Sequence, residues 1–229
     1  MPILAFDTSA GACSAAVWEN GRTLAQASRN MERGHAAWLV PMLRDVMGEA
    51  GLAFKDLDAF AVTVGPGSFT GIRIGLATAK SMALATVLPL VGISNFDFHA
   101  YIVEGTAWTQ GTVIIVLETK RDDLYVQLYD SPSKLIGAAA AVPGAELASY
   151  VRGLAGPGCS LTLAGDGAER ARDLLDGESA INILNGTVTQ PHAGHLAALA
   201  ESHLRSGNIL EKVQPFYLRP ADVRRPAGR

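Results

Sequence analysis

Residues 61–85 read AVTVGPGSFTGIRIGLATAKSMALA, and this stretch restricts the fold more tightly than any other. Ala61-Val62-Thr63-Val64, with its β-branched residues, reads as a buried strand. Gly65-Pro66-Gly67-Ser68 breaks it, and a helical pattern starts near Ser68, whose hydroxyl suits an N-cap. Strand, glycine turn and helix in that order aim free backbone N–H groups at an anion. The spacing departs from the familiar phosphate loops. No Gly-Lys-Ser/Thr closes the turn, and glycines 65, 67 and 71 miss the dinucleotide fingerprint by one position. Pro66 also removes one N–H. A nucleophile elbow at Ser68 would need glycines where Pro66 and Thr70 stand.

The helix carries a second signal. Gly71, Gly75, Ala79 and Ala83 recur every fourth residue, so small side chains line one face. Glycine inside a helix costs roughly 0.5–1 kcal/mol against alanine, so close approach of another backbone is expected in return. Two arrangements satisfy this. The face can pack on the chain's own sheet, or it can meet a helix of another chain, as small-xxx-small pairs do.

A length of 229 residues allows one or two domains. With 48% hydrophobic and 18% charged residues the chain buries a sizeable core and is not of the disordered class. A net charge of −3 supplies no global attraction to nucleic acid. The longest apolar stretch, 82–93, is too short to span a bilayer and contains Pro89. No basic region precedes the first apolar residues and Asp7 interrupts them, so no signal peptide is expected. Cys13 and Cys159 are the only cysteines and form no CxxC, which fits a reducing cytoplasm.

Taken in order, 3–6 reads as a strand ending at Asp7-Thr8-Ser9, and 13–19 and 22–27 as two more joined by the hairpin dipeptide Asn20-Gly21. Apolar residues over 34–50 share one helical face and stop at Gly51. A strand at 59–64 and a helix at 69–86 follow, then a strand at 90–93 and a helix capped by Ser94 running to about 103. After a junction at 105–111 the pattern restarts. Strands are expected at 113–117 and 124–129, helices at 143–152 and to about 175, and strands at 161–164 and 181–184. Asp7-Thr8 corresponds to Glu118-Thr119, and Gly65-Pro66-Gly67 to Gly165-Asp166-Gly167, so the chain reads as an internal duplication. The expected lobes are 1–105 and 106–190. A C-terminal helix at about 191–206, opened by Pro191, joins the first lobe. A tail follows over 207–229, with Arg224, Arg225 and Arg229 near its end.

An acidic residue ending the first strand, beside a hydroxyl, suits a Mg²⁺-nucleotide site between lobes, with Asp7, Glu118 and Asp166 as candidates. The other reading of Asp7 is a capping carboxylate at the hairpin. His192 and His195 share a helical face without a third metal ligand at the right spacing, and His203 lies farther along. His35 is flanked four residues away by Met31 and Leu39, and His99 also lacks a partner. No HExxH, paired catalytic carboxylates or Ser/His/Asp order stands out. No catalytic and no metal residues are therefore expected, and a peptidase is the weakest of the readings.

ILAFDTSAGACSAAVW at 3–18, VTVGPGSFTGIRIGLATAKSMA at 62–83 and PFYLR at 215–219 resemble the TsaB (YeaZ) family. That resemblance implies an α/β fold of two duplicated lobes, of the actin, sugar-kinase and chaperone ATPase (ribonuclease H-like) superfamily. It implies a cytoplasmic, non-catalytic subunit in the synthesis of threonylcarbamoyladenosine in tRNA, one that binds and activates the transferase TsaD. The ATPase TsaE joins the complex, tRNA is met only through it, and a homodimer through the same lobe forms in the absence of TsaD. TsaD's metal site uses two histidines four apart, whereas His35 stands without a second one. The resemblance points the partner contact at helices 34–50 and 69–86, with Trp38, Leu39, Met42, Phe69, Gly71, Ile72, Gly75, Leu76 and Ala79 as its residues. No cofactor is required on this reading, while Asp7, Gly65, Gly67 and Ser68 remain candidates for a vestigial ATP or ADP with Mg²⁺. The competing reading is an active ATPase or small-molecule kinase of the same superfamily.

Overall fold

The computed structural model describes residues 1–106, 111–131, 134–175, 181–184, 192–207 and 212–219. β1 (Ile3–Asp7) is buried along its whole length and forms the middle of a sheet. β2 (Ala12–Glu19) and β3 (Arg22–Asn30) extend that sheet as an antiparallel meander. Asn20 and Gly21 both adopt positive φ, as their hairpin turn demands. α1 (His35–Glu49) crosses back over the sheet. β4 (Ala59–Gly65) then pairs parallel to β1, with Leu4 opposite Phe60. α2 (Phe69–Thr86) leads to β5 (Leu90–Ser94), parallel to β4, and α3 (Asn95–Thr106) completes the unit. Ser94 Oγ accepts from the Asp97 N–H at 3.0 Å, the expected cap.

The second unit repeats the first. β6 (Thr112–Glu118), β7 (Asp123–Ser131) and β8 (Lys134–Pro143) form the meander. α4 (Leu147–Ala155), β9 (Leu161–Ala164), α5 (Ala168–Leu174), β10 (Ile181–Ile183) and α6 (Ala193–Ser206) follow. The sheet orders are β3-β2-β1-β4-β5 and β8-β7-β6-β9-β10, one topology used twice. Gly65 and Gly165 end β4 and β9 with nearly equal φ, 107° and 104°. The duplication is therefore real. β8 was not expected from sequence. Its run Ala138–Ala141 has little intrinsic strand preference, and the ladder to β7 imposes the extended conformation. Within the expected junction 107–110 lies outside the described residues, as do Pro191, Arg224, Arg225 and Arg229.

Alternation along β1 assigns the layers. Leu4 and Phe6 face α1 and α2, in a core with Leu39, Leu43, Ile72 and Leu76. Ile3 and Ala5 face the other way, into a core that also holds Phe96, Phe98, Val113, Ile115 and Leu196. That second core contains residues of both sheets together with α3 and α6, so the lobes share apolar packing. The far side of the second sheet packs on α4 and α5 through Ile114, Val116, Val151 and Ala168. Each fully buried Leu, Ile or Phe contributes roughly 1.5–3 kcal/mol. α6 lies against β1 and β2, where Trp18 Nε1 donates to Glu201 Oε2 at 2.7 Å and Arg205 pairs with the same carboxylate at 2.7 Å.

α2 ends on an unusual residue. Val87 is its C-cap at φ 58°, and its side chain is 90% exposed. A β-branched residue in the left-handed region is strained where glycine is not. Val87→Gly is expected to stabilise the fold by about 1 kcal/mol, read as a rise of about 2–4 °C in melting temperature.

Candidate functional site

β1 and β4 end side by side at the mouth of a cleft, and β6 and β9 end opposite them. The cleft has a volume of about 710 Å³, and Asp7, Ser9, Asn95, His99, Glu118 and Asp166 are among its lining. Asp7 is buried. Its Oδ1 accepts from the Ser9 N–H at 2.8 Å, from Ser9 Oγ at 2.5 Å and from the Thr63 hydroxyl. This is the capping carboxylate of the strand end. Asn95 Nδ2 donates to Ser9 Oγ and to the Pro66 carbonyl, both at 2.7 Å, which fixes the hairpin turn against the glycine turn.

His99 Nδ1 lies 2.7 Å from the Asn95 carbonyl. A carbonyl only accepts, so Nδ1 carries the proton and Nε2 is left as an acceptor. Burial holds the imidazole below its ordinary pKa, against the opposing pull of that carbonyl, Asp166 and Asp7. Asp166 keeps exposed surface as a residue, yet partial desolvation of its carboxyl pushes it up, while the Glu118 N–H bonded to it at 2.9 Å works the other way. The lowered histidine has a definite sign for stability. As pH falls through about 6.5 the unfolded chain takes up a proton that folded His99 refuses, so stability drops. Urea unfolding at pH 7.5 and 5.5 is expected to show this loss, and His99→Gln to lessen it.

The glycine turns do not present the donors their sequence suggested. The Ser68 N–H donates to the Ser9 carbonyl at 2.7 Å, and the Gly71 N–H to Ser68 Oγ at 3.2 Å, the expected N-cap. A Cβ at Gly67 would sit 2.4 Å from the Ser9 oxygen, so the loop after β1 presses directly on this turn. At the matching turn the Gly167 N–H donates to the Val116 carbonyl at 3.0 Å. Asp7, Gly67 and Ser68 do come together at the cleft, whereas Gly65 is buried against Phe216 and Ile72 and is not part of its lining. Their surroundings are engaged by the chain itself, and a phosphate would have to displace Ser9 to reach the Ser68 N–H.

α1 packs over β2 and β3, and α2 over β4 beside it. The small face of α2 turns inward. A Cβ at Gly71 would lie 1.9 Å from the Thr8 carbonyl oxygen, and one at Gly75 would lie 2.7 Å from Thr8 Oγ1. Thr8 Oγ1 donates to the Gly71 carbonyl at 2.7 Å, a link that requires this closeness. Of the two arrangements open to the sequence, packing on the chain's own sheet is the one found. Gly71, Ile72, Gly75, Leu76 and Ala79 are buried there, and Leu39 and Met42 of α1 are buried in the same core. These seven residues cannot form a surface for another chain, which corrects the expected contact set. Trp38 and Phe69 are the two of that set with exposed surface. Trp38 is 45% exposed under the Arg29 guanidinium, and Phe69 is half-buried against Tyr217 and Arg73.

The opposite faces of the same helices are open. α1 presents Ala36, Ala37, Val40 and Pro41 outward, and α2 presents Ala77, Ser81, Leu84 and Ala85. Val40 is 59% exposed and Leu84 83%. Sequence reasoning passed over these residues because it followed only the face with the regular apolar period. The outward sides are mixed, with Arg44 and Asp45 on α1 and Arg73 and Lys80 on α2 exposed beside these apolar residues.

A family model described as "TsaD: tRNA N6-adenosine threonylcarbamoyltransferase" matches residues 24–221. Among solved structures, YeaZ from Pseudomonas aeruginosa superposes with a TM-score of 0.78 at 29% identity, over 95% of this chain and 99% of that one. The TsaB protein of Escherichia coli is 41% identical over 95 residues, which is 42% of this chain and 41% of that protein. The chain belongs to this family, in its TsaB/YeaZ group. The chain spans under half the length of the first curated TsaB relatives it matches. A ROK hexokinase from Thermus thermophilus, at a TM-score of 0.50 and 15% identity over 90% of this chain and 100% of that one, shares the fold alone. The two-lobe α/β architecture is what the two have in common.

Within this TsaB/YeaZ chain His35 begins α1, where it is buried and its Nε2 has no hydrogen-bond partner among the described residues. His195 is lowered by burial and by neighbouring His192. Among the described residues no group of three or more His, Cys, Asp or Glu side chains is placed to hold a metal ion, and no helix is long and apolar enough to cross a membrane.

Proposed function

We propose that this chain is a non-catalytic subunit of the machinery that makes threonylcarbamoyladenosine in tRNA, and that it docks on and activates TsaD. The observation that carries this reading is the set of exposed apolar residues on the outward sides of the two helices, Val40 and Pro41 on α1 and Leu84 on α2, with Val87 just past its end. Small residues around those side chains let partner helices approach closely. A specific interface buries about 1,600 Å² in all, an area two such helices and their flanks can supply half of. Activation follows if the chain binds the productive arrangement of TsaD better than others, since a partner shifts an equilibrium only by its differential affinity. TsaE joins the assembled pair, tRNA is met through the complex, and the work is done in the cytoplasm. A second copy occupies the same face when TsaD is absent. On this reading no cofactor is required of the chain; the loop after β1 engages the Ser68 N–H and strand β6 the Gly167 N–H, which supports it.

Reconstitution tests the proposal. TsaD, TsaE and this chain together, supplied with threonylcarbamoyl-adenylate and tRNA, are expected to modify the tRNA, and omission of this chain to abolish the reaction. Full activity without it would defeat the reading. Asp7 at the end of β1, lining an inter-lobe cleft, favours the second reading, an ATPase or small-molecule kinase. Calorimetry with ATP and Mg²⁺ and a hydrolysis assay on the isolated chain separate the two, since tight binding with turnover belongs only to the kinase.

A further inference from the structure

The C-terminal segment after α6 is unusually well anchored for a tail. Val213 fills the space above Gly92, where a Cβ would lie 2.7 Å from Val213 Cγ1. The Phe216 N–H donates to the Val64 carbonyl at 2.8 Å, and the Phe216 ring meets Phe96 edge-on with centroids 6.4 Å apart. Tyr217 rests on Phe69 at 4.9 Å, and its hydroxyl accepts from Arg73 Nε at 3.2 Å. All these anchors belong to the first lobe. Two residues later the chain reaches the second lobe, where the Arg219 guanidinium lies 2.6 Å from Asp123 Oδ2 at the start of β7.

Asp123 is only 2% exposed. Its Oδ1 accepts from Thr119 Oγ1 at 2.8 Å, while Oδ2 has the Arg219 ion pair without the alignment of a hydrogen bond. A carboxylate this deeply buried needs a compensating cation, and removing one partner of such a pair leaves an uncompensated charge. Tyr217 and Arg219 also line the inter-lobe cleft, so the strap runs along its wall.

We infer that residues 213–219 are an inter-lobe strap, with the Arg219–Asp123 pair as the clasp that holds the β6–β7 hairpin to the first lobe and sets the width of the cleft. The strap links the lobes by the chain's own groups. It also ties the second lobe to the first two turns of α2 through Tyr217, Phe69 and Arg73. The inference does not depend on which partner α2 meets.

Hydrogen exchange read by mass spectrometry on the full chain tests it, comparing the wild type with Arg219→Ala, Arg219→Lys, Asp123→Asn and the Arg219→Ala/Asp123→Asn pair. Amides of 118–126 are expected to exchange about five-fold faster or more in Arg219→Ala, with β1 and β4 unchanged. Arg219→Lys, which keeps the charge, is expected to fall within about two-fold of wild type. The double variant is expected to be no faster than Arg219→Ala, because the uncompensated carboxylate is gone. Unchanged hairpin rates in Arg219→Ala, acceleration confined to 212–219, or additive effects in the double variant would each overturn the clasp. Should Arg219→Ala fail to fold, Asp123→Asn carries the test, since it keeps the shape and removes the pair's charge.

Discussion

Gly71→Ala is expected to lower the unfolding free energy by about 3 kcal/mol or more, and Gly71→Leu to leave no folded protein. The added Cβ would sit 1.9 Å from the Thr8 carbonyl oxygen and 3.0 Å from its carbon. These are backbone atoms of the loop that continues from β1, whose residues pair with both β2 and β4. The loop therefore cannot move aside without breaking the network of Asp7, Ser9 and Asn95. Gly75→Ala should cost less, because its nearest obstacle is the Thr8 hydroxyl at 2.7 Å, a side-chain atom. Gly48 in α1 is the internal control. A Cβ there meets nothing within 4 Å, so Gly48→Ala is expected to stabilise by about 0.5–1 kcal/mol. Chemical unfolding of the three variants decides the matter, and an unchanged midpoint for Gly71→Ala would refute the close approach to Thr8.

The second large effect concerns binding and not stability. Val40→Asp combined with Leu84→Asp is expected to weaken association with TsaD by 100-fold or more, about 3 kcal/mol. Each substitution places an unpaired carboxylate in what would become the dry centre of an interface, where a charge without a partner is costly. In the free chain both side chains face water, at 59% and 83% exposure, so the melting temperature should move little. The contrast with Gly71 is diagnostic. One set of substitutions damages the fold, the other the complex, although both lie on the same pair of helices.

Much of the fold was legible because it is written twice. Acidic strand end, hairpin, glycine turn and helix recur in the same order, and the two sheets carry the same strand order. β8 escaped because its alanines are extended only by pairing with β7. The small face of α2 announced close packing correctly, yet a missing side chain says only that something comes near. What comes near is Thr8, 63 residues earlier, a contact that no local pattern encodes. For the same reason Asp7 could be picked out as the end of a strand, whereas Asn95, which joins Ser9 across 86 residues, could not. Arg219 fell within the C-terminal tail 207–229 with no partner indicated, and its pairing with buried Asp123 depends on how the two lobes meet.

Hydroxyl-radical footprinting of this chain, alone and with TsaD, reports most directly on where the partner sits. Trp38, Val40, Leu84 and Val87 are expected to lose reactivity on adding TsaD, while Tyr125 at the cleft and Tyr101 on the far side keep theirs. Protection at Tyr125 or Tyr101 with Leu84 and Val87 still fully reactive would contradict docking through α1 and α2.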